Sequence, residues 1–179
     1  GIGVTGTLAA NRIAKEADTV LAIGSRLSDF TTGSKWLFRE EGVQVLTINN
    51  NRYHAYKMDA IKAVGDAKAT LEELAKALRE KNYRSAYKGE IESCKAEWDK
   101  EYNRLAEYAY KEEGFEPLVP ERDPRTIPEF VEKTKGYLTQ TAAIAALRRK
   151  MPADGIVITA GGSLPSCMQR LWTTDSRYA

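Results

Sequence analysis

Three short apolar runs, each followed by a polar or glycine-containing loop, constrain this chain more than any other feature. They are Thr19-Val20-Leu21-Ala22-Ile23 before Gly24, Val43-Gln44-Val45-Leu46-Thr47-Ile48, and Ile61-Lys62-Ala63-Val64 before Gly65. Runs this short are strand-length, and the connections between them are long enough for crossovers, so they predict one parallel sheet in an α/β unit. The first run has no polar interruption after Thr19 and reads as a strand buried on both faces. A doubly wound sheet has about five or six strands, so three predict a sheet cut near the middle of its domain. Such a cut leaves an edge open to pairing with another copy. The opening Gly1-Ile2-Gly3, without an initiator methionine, and the close on Ser176-Arg177-Tyr178-Ala179 carry the same expectation of an internal piece.

Helix signals fill the intervals. Thr7 caps a helix to about Ala17, and either Asp66 or Thr70 starts the next, Thr70-Leu71-Glu72-Glu73 matching a capping box. Residues 84–113 read as one long amphipathic helix through Ile91, Cys94, Trp98, Leu105 and Tyr108, ended by Gly114. Prolines 117, 120, 124 and 128 argue against a continuous helix over 116–135 and predict a linker laid over a surface. Thr139 then starts a helix to about Lys150 with Ile144, Leu147 and Met151 inward. Gly155-Ile156-Val157-Ile158-Thr159-Ala160 reads as a new strand, followed by a helical stretch over 166–172, so a second α/β domain begins there.

Composition excludes several functions. Twenty-seven basic and 25 acidic residues are interspersed and leave a net charge of +2, which gives nucleic acid no electrostatic footprint. The apolar runs are far shorter than the ~20 residues of a membrane span, and no secretory leader is visible, so the cytoplasm is the expected compartment. Two cysteines, Cys94 and Cys167, and the single histidine His54 supply neither a zinc cluster nor a Cys-His nucleophile pattern, so no metal ligands and no catalytic residues are assigned.

Four loops carry candidate chemistry. Gly1-Ile2-Gly3-Val4-Thr5-Gly6 satisfies the G-x-G-x-x-G pattern of dinucleotide sites, but no strand precedes it and the next strand ends in Gly24-Ser25-Arg26 rather than an acid; a plain glycine loop is the better reading. The polar loop containing Gly24, Ser25, Arg26 and Asp29 follows a strand's carboxyl end, where open α/β sheets bind ligands. Arg26 and Asp29 there hold a nucleotide or a domain interface, or simply pair with each other. Asn49-Asn50-Asn51 with His54 gets no metal role, His54 reading as a hydrogen-bonded surface residue, and Asp66 of Gly65-Asp66-Ala67 reads as a helix cap. Gly161-Gly162-Ser163-Leu164-Pro165, between a predicted strand and a helix, is the best place for a phosphate: glycines free the amides and a helix N-terminus attracts anions.

Gly1-x-Gly3-Val4-Thr5-Gly6-Thr7-Leu8-Ala9-Ala10-Asn11, Ile23-Gly24-Ser25-Arg26-Leu27-Ser28-Asp29-Phe30-Thr31-Thr32-Gly33-Ser34-Lys35-Trp36 and Val64-Gly65-Asp66-Ala67-Lys68-Ala69-Thr70-Leu71 resemble thiamine-diphosphate enzymes, most narrowly the ring-opening dione hydrolases of inositol breakdown. Thr139-Gln140-Thr141 and the loop at Gly161 extend the resemblance over nearly the whole chain. It implies the second half of a Rossmann-like central domain at 1–83, a helical arm and proline-rich linker at 84–137, and the start of the diphosphate-binding domain at 138–179. It implies thiamine diphosphate and Mg as cofactors of a longer parent, with Gly162, Ser163 and Leu164 in the diphosphate loop, the remainder of the same polypeptide as partner, and a homo-oligomer. The activating glutamate and the Gly-Asp-Gly metal motif are expected outside this span, so tight cofactor binding by the chain alone is not expected. The implied reaction is carbon–carbon cleavage of a cyclic dione to an open-chain deoxy sugar acid. The alternatives are an acetohydroxyacid-synthase-like carboligase, in which the loop at Gly24 to Asp29 lies against a flavin nucleotide, and a non-catalytic nucleotide-binding or assembly module.

Overall fold

The computed structural model describes residues 1–109, 125–134, 138–152 and 154–173. The chain divides into two compact units, Gly1–Trp98 and Asp99–Ala179.

In the first unit, helix α1 (Leu8–Lys15) starts where expected, the Ala10 N–H donating to Thr7 Oγ1 at 3.1 Å. It ends at Lys15, two residues before Ala17, with Glu16 as its C-cap. Strands β1 (Thr19–Ile23), β2 (Gln44–Asn49) and β3 (Ile61–Val64) form a sheet in the order β1-β2-β3, all parallel, with Val20 opposite Val45 and Ile48 opposite Ala63. The ladder continues past the strand ends, since the Gly24 N–H donates to the Ile48 carbonyl at 2.9 Å and the Gly65 N–H to the Asn49 carbonyl at 3.1 Å. The expected parallel sheet is therefore present.

Side chains alternate across it. Val20, Ala22 and Val45 pack on one face against Leu27 from the first crossover and Met58 and Ala60 from the second. Thr47, on that same face, is buried, and its hydroxyl donates to the Ala55 carbonyl at 2.7 Å, tying β2 to helix α3 (Arg52–Ala55). Burial of β1 on both faces is not observed: Leu21 and Ile23 are each 42% exposed. The crossovers cover the Val20 and Ala22 side, and the described residues leave the other side of β1 partly in solvent. An unbroken apolar run states that both faces tolerate burial, not that both receive it.

Helix α2 (Asp29–Thr32) and a 3-10 turn (Trp36–Phe38) lie in the first crossover. Helix α4 (Ala67–Glu80) takes Asp66 as its cap, with the Ala69 N–H donating to Asp66 Oδ1 at 2.9 Å. Thr70, the other candidate start, lies inside the helix and donates its hydroxyl to the Asp66 carbonyl. The first cap after β3 nucleates the helix and leaves no room for a second. Helix α5 (Gly89–Glu107) begins five residues later than the pattern suggests, because Ser85 Oγ accepts the Tyr87 N–H and holds a local turn there. Its start docks on α1: Arg12 bridges Glu16 and Glu97, and the Tyr87 hydroxyl donates to the Ile13 carbonyl. Residues 110–124 and 135–137, with Gly114 and prolines 117, 120 and 124, lie outside the described residues.

In the second unit, helix α6 (Thr126–Thr134) corrects the expectation of an unbroken linker over 116–135. Pro128 is no obstacle because it stands in the first turn, where its missing N–H has no intrahelical acceptor anyway. Helix α7 (Gln140–Lys150) is capped by Thr139, whose Oγ1 accepts the Ala142 N–H, and packs against helix α8 (Ser163–Leu171). Ile144, Ala145, Met168 and Leu171 are buried, whereas Leu147 is exposed, so the inward stripe runs through Ile144 and Ala145 rather than Leu147. The strand expected over 155–160 does not form. Ile156 and Ile158 are 84% and 91% exposed, and no described residue pairs with this segment. Strand propensity needs a neighbouring strand to accept its hydrogen bonds, and no other strand stands in this unit's described residues.

Thr47→Val keeps the shape of a buried side chain and removes the partner of the Ala55 carbonyl. Leaving a buried acceptor unmet costs about 1–3 kcal/mol. Urea unfolding followed by far-UV circular dichroism should show a lower midpoint at unchanged slope; an unchanged midpoint would mean that α3 is not held to β2 in this way.

Candidate functional site

The carboxyl ends of β1 and β2 bring the polar loop at Gly24 and the asparagine cluster together. Gly24 turns the chain with φ 61°, a left-handed conformation that favours glycine. Leu27 follows at φ 44°, held there because its side chain belongs to the core and its N–H donates to Ser25 Oγ at 3.2 Å. Asn49, buried at the end of β2, donates from Nδ2 to the Ser25 carbonyl at 3.0 Å and accepts the Asn51 N–H on Oδ1 at 2.9 Å. One amide therefore fixes both strand-end loops. Asn49 has no assigned role in the sequence reading; the available signal was a polar side chain on the inward-facing register of a strand, two residues after Thr47.

Ser28 caps α2, and Gly33 closes it in the left-handed conformation. Arg26 and Asp29 are both exposed and form no ion pair with each other, so the reading in which that pair shapes the loop is corrected: Asn49, Ser25 and Ser28 shape it instead. Two opposite charges three positions apart suggested pairing, but Asp29 is the first residue of α2 and Arg26 lies before its cap, Ser28. Their side chains stay available to a ligand or a second surface.

The Gly1 to Gly6 loop is built for contact with protein. The Val4 N–H donates to the Phe30 carbonyl at 2.8 Å, and a Cβ on Gly3 would lie 1.8 Å from that carbonyl oxygen. Asn11 of α1 closes the loop from within, accepting the Gly3 N–H at 2.7 Å and donating to the Gly3 carbonyl at 2.9 Å. The close approach that Gly3 permits is to α2, which supports the plain-loop reading.

His54 differs from its expectation. Its backbone N–H donates to Asn51 Oδ1, but its ring is partly buried, edge-on to Tyr53, and Nδ1 is enclosed without a partner among the described residues. An open groove of about 540 Å³ beside it is lined by Arg52, Tyr53, Tyr56 and Lys57.

In the second unit, the turn at Gly162 meets the start of α7. Gly162 stands at φ 133° as the N-cap of α8 and supplies no side-chain cap. The Ser166 N–H and hydroxyl both return to the Gly162 carbonyl, at 3.2 and 2.9 Å. The first-turn amides of Ser163 and Leu164 have no intrahelical acceptor, and Pro165 has no amide at all. Gln140 Nε2 donates to Ser163 Oγ at 3.3 Å, and Cys167 Sγ contacts Gln140 Oε1 at 3.5 Å. The helix therefore starts at Ser163 rather than 166, and the loop supplies donors for an anion.

Ionisation is shifted elsewhere. The hydrogen bonds that Arg12 donates to Glu16 and Glu97 hold its guanidinium above its ordinary value, and those that Arg104 donates to Glu101 raise the Arg104 guanidinium and lower the Glu101 carboxyl. Burial, then nearby Glu16, raises the Tyr87 phenol. All four groups lie on α1, on α5 or just before it. Among the described residues no group of three or more His, Cys, Asp or Glu is placed to hold a metal ion. No described helix is long and apolar enough to cross a membrane.

Residues 1–74 match the family model described as thiamine pyrophosphate enzyme, central domain. Over almost its whole length the chain is similar to proteins named 3D-(3,5/4)-trihydroxycyclohexane-1,2-dione hydrolase. It is 48% identical over 176 residues, 98% of this chain, to that of Clostridium botulinum, and 48% identical over 177 residues, 99% of this chain, to that of Clostridium perfringens. To that of Geobacillus thermodenitrificans it is 45% identical over 177 residues. The chain spans 27 to 28% of the length of these relatives.

Gly3→Ala tests the packing role of the first loop. The added methyl must displace the Phe30 carbonyl, so stability should fall by about 1–3 kcal/mol or more, and amide exchange should quicken across α2. Unchanged stability would return the loop to a role in ligand binding.

Proposed function

We propose that this chain is a working segment of a thiamine-diphosphate- and Mg-dependent hydrolase that cleaves a carbon–carbon bond of a cyclic trihydroxy-dione, giving an open-chain deoxy sugar acid in inositol catabolism. The observation that carries the proposal is the identity of 48% over nearly the entire chain to hydrolases of that name, joined to a central-domain match at residues 1–74. On this reading residues 1–83 are the second half of the central domain, 84–137 the arm and 138–179 the start of the diphosphate domain.

The donor set at the second-unit loop suits a diphosphate. Gly162 leaves the α8 N-terminus without a side-chain cap, among the described residues no carboxylate takes part in the loop's hydrogen bonds, and the Ser163 and Leu164 amides with the Ser163 hydroxyl present donors to an anion. The same residues do not suit Mg, which takes one or two carboxylates besides phosphate and water. Those ligands, and the glutamate that activates the cofactor, are assigned to the part of the relatives that this chain does not span. When bound, the cofactor supplies a carbanion nucleophile and an electron sink. Gln140 orients Ser163 from α7, Ser166 occupies the Gly162 carbonyl, and the loop thereby holds the phosphate end still. Arg26 and Asp29, exposed at the sheet's carboxyl end, serve a nucleotide or a contact with another domain; the rest of the polypeptide and a second subunit are the partners proposed.

Two measurements test this. In calorimetry the chain alone should bind thiamine diphosphate with Mg no tighter than about millimolar, because a few solvated amide hydrogen bonds are worth about 1 kcal/mol each. The full-length protein that carries this chain should open the cyclic dione and leave pyruvate unjoined. Micromolar binding by the chain would show that the ligand set has been assigned to the wrong span, and pyruvate condensation without ring opening would favour the carboligase reading.

A further inference from the structure

We propose that the carboxyl end of this sheet is a nucleotide crevice sealed from within: Asn11 and Asn49 take up the hydrogen bonds by which a pyrophosphate and a ribose would be held, and the first unit takes no nucleotide. An open α/β sheet holds a dinucleotide through free amides of a glycine loop at a helix N-terminus, and through an acid at a strand end that takes a ribose hydroxyl. The Gly1 to Gly6 loop opens α1 and has the glycine spacing for the first of these. Its amides are spent. The Gly3 N–H donates to Asn11 Oδ1 at 2.7 Å, the Val4 N–H to the Phe30 carbonyl at 2.8 Å, the Gly6 N–H to the Gly3 carbonyl at 3.0 Å and the Thr7 N–H to the Gly1 carbonyl at 3.1 Å. In the first turn of α1 the Ala10 N–H donates to Thr7 Oγ1 at 3.1 Å. The Asn11 carboxamide thus does for Gly3 what a phosphate oxygen does in a dinucleotide site, and its Nδ2 returns to the Gly3 carbonyl at 2.9 Å.

The glycines serve packing rather than the approach of a ligand. A Cβ on Gly3 would collide with the Phe30 carbonyl, and one on Gly6 would lie 2.6 Å from Asn11 Oδ1 and 2.7 Å from the Gly1 carbonyl oxygen. The strand ends are closed in the same way. β1 runs into Gly24-Ser25-Arg26 and β2 into Asn50-Asn51, so neither ends in an acid, and the polar side chain that closes β2 is the buried carboxamide of Asn49. Both ends of that carboxamide are used, Nδ2 on the Ser25 carbonyl and Oδ1 on the Asn51 N–H. The neighbouring amides are also committed: Gly24 to the Ile48 carbonyl, Leu27 to Ser25 Oγ, His54 to Asn51 Oδ1 and Gly65 to the Asn49 carbonyl. The acid after β3, Asp66, is the cap of α4.

Every bond in this set lies within residues 1–69, so the seal does not depend on what adjoins them in a longer polypeptide. A nucleotide entering here must displace a protein acceptor for each of these amides and meets no acid at the ends of β1 and β2. The seal decides between the two uses open to Arg26 and Asp29, and in this it rests on the proposed function: they serve a contact with another domain. The unit is then a scaffold whose glycine loop, α2 and strand ends are locked to one another.

The full-length protein that carries this chain, purified and supplied with thiamine diphosphate and Mg so that the diphosphate loop is filled, is the material for the test. After denaturation, chromatography and mass spectrometry of the supernatant should find no flavin, nicotinamide or adenine nucleotide in stoichiometric amount. Equilibrium dialysis against FAD, NAD and ADP should show no saturable binding up to about millimolar. Asn49→Asp, which supplies the missing acid but removes the donor to the Ser25 carbonyl, should lower the thermal midpoint and gain no nucleotide. Asn11→Ala uncovers the Gly3 N–H, and hydrogen exchange across residues 3–7 should quicken by about five- to ten-fold, the size of one net hydrogen bond. A stoichiometric nucleotide, saturable binding of any of the three, nucleotide affinity gained in Asn49→Asp, or unchanged exchange in Asn11→Ala would overturn the seal. Ring opening is followed in the same preparation. A protein that opens the dione and holds a nucleotide overturns the seal alone, and one that holds none and opens no dione leaves the seal standing and contradicts the proposed function.

Discussion

The first unit depends on β2. It is the strand with a neighbour on each side, and it is the one whose inward-facing polar side chains reach out of the sheet. Thr47 ties it to α3, and Asn49 ties it to the loop that follows β1. Because both side chains are buried, each hydrogen bond is made where the alternative is an unmet polar group, worth about 1–3 kcal/mol, rather than a bond to water. The sheet's register and the shape of its carboxyl-end loops are thus one constraint. If β2 slipped by a residue, Thr47 and Asn49 would turn to the other face, and both loops would lose their anchor.

Most of this architecture was legible in the sequence where a local signal had no competitor. Thr7, Asp66 and Thr139 cap helices as their position demands, and the three apolar runs pair in parallel as their length and spacing require. The failures occur where a segment's state is decided by something outside it. Residues 155–160 have the composition of a strand, but composition cannot provide the neighbour a strand bonds to. β1 has the composition of a doubly covered strand, yet the crossovers cover one face. Arg26 and Asp29 have the spacing of an ion pair, but a helix starts between them. The roles of Asn49 and Asn11 were not legible because their partners are main-chain groups 24 and eight residues away, and nothing in a side chain's identity names a distant backbone atom.

The candidate site separates into two parts that answer to different physics. The loop at Gly24 to Asp29 is rigidly framed but leaves its charged side chains unused, the signature of a surface prepared for something else to contact. The loop at Gly162 to Leu164 is a helix N-terminus without a side-chain cap, made possible by a glycine at φ 133°, and its donors suit an anion without fixing which anion. Neither part contains a group with catalytic geometry. The proposed function would account for this arrangement, the segment positioning a cofactor's phosphate end and a domain contact and the reacting groups standing elsewhere in a longer polypeptide.

The central claim, that this segment does the same work as the corresponding span of the dione hydrolases, is tested most directly by exchange. The matched span of the Clostridium perfringens hydrolase would be replaced by this chain, and ring opening of the cyclic dione would be followed by the appearance of its open-chain product. The account predicts a folded hybrid that retains turnover within about ten-fold of its parent, equivalent to less than ~1.4 kcal/mol of transition-state stabilisation. A hybrid that folds and binds thiamine diphosphate but produces no open-chain product would contradict it.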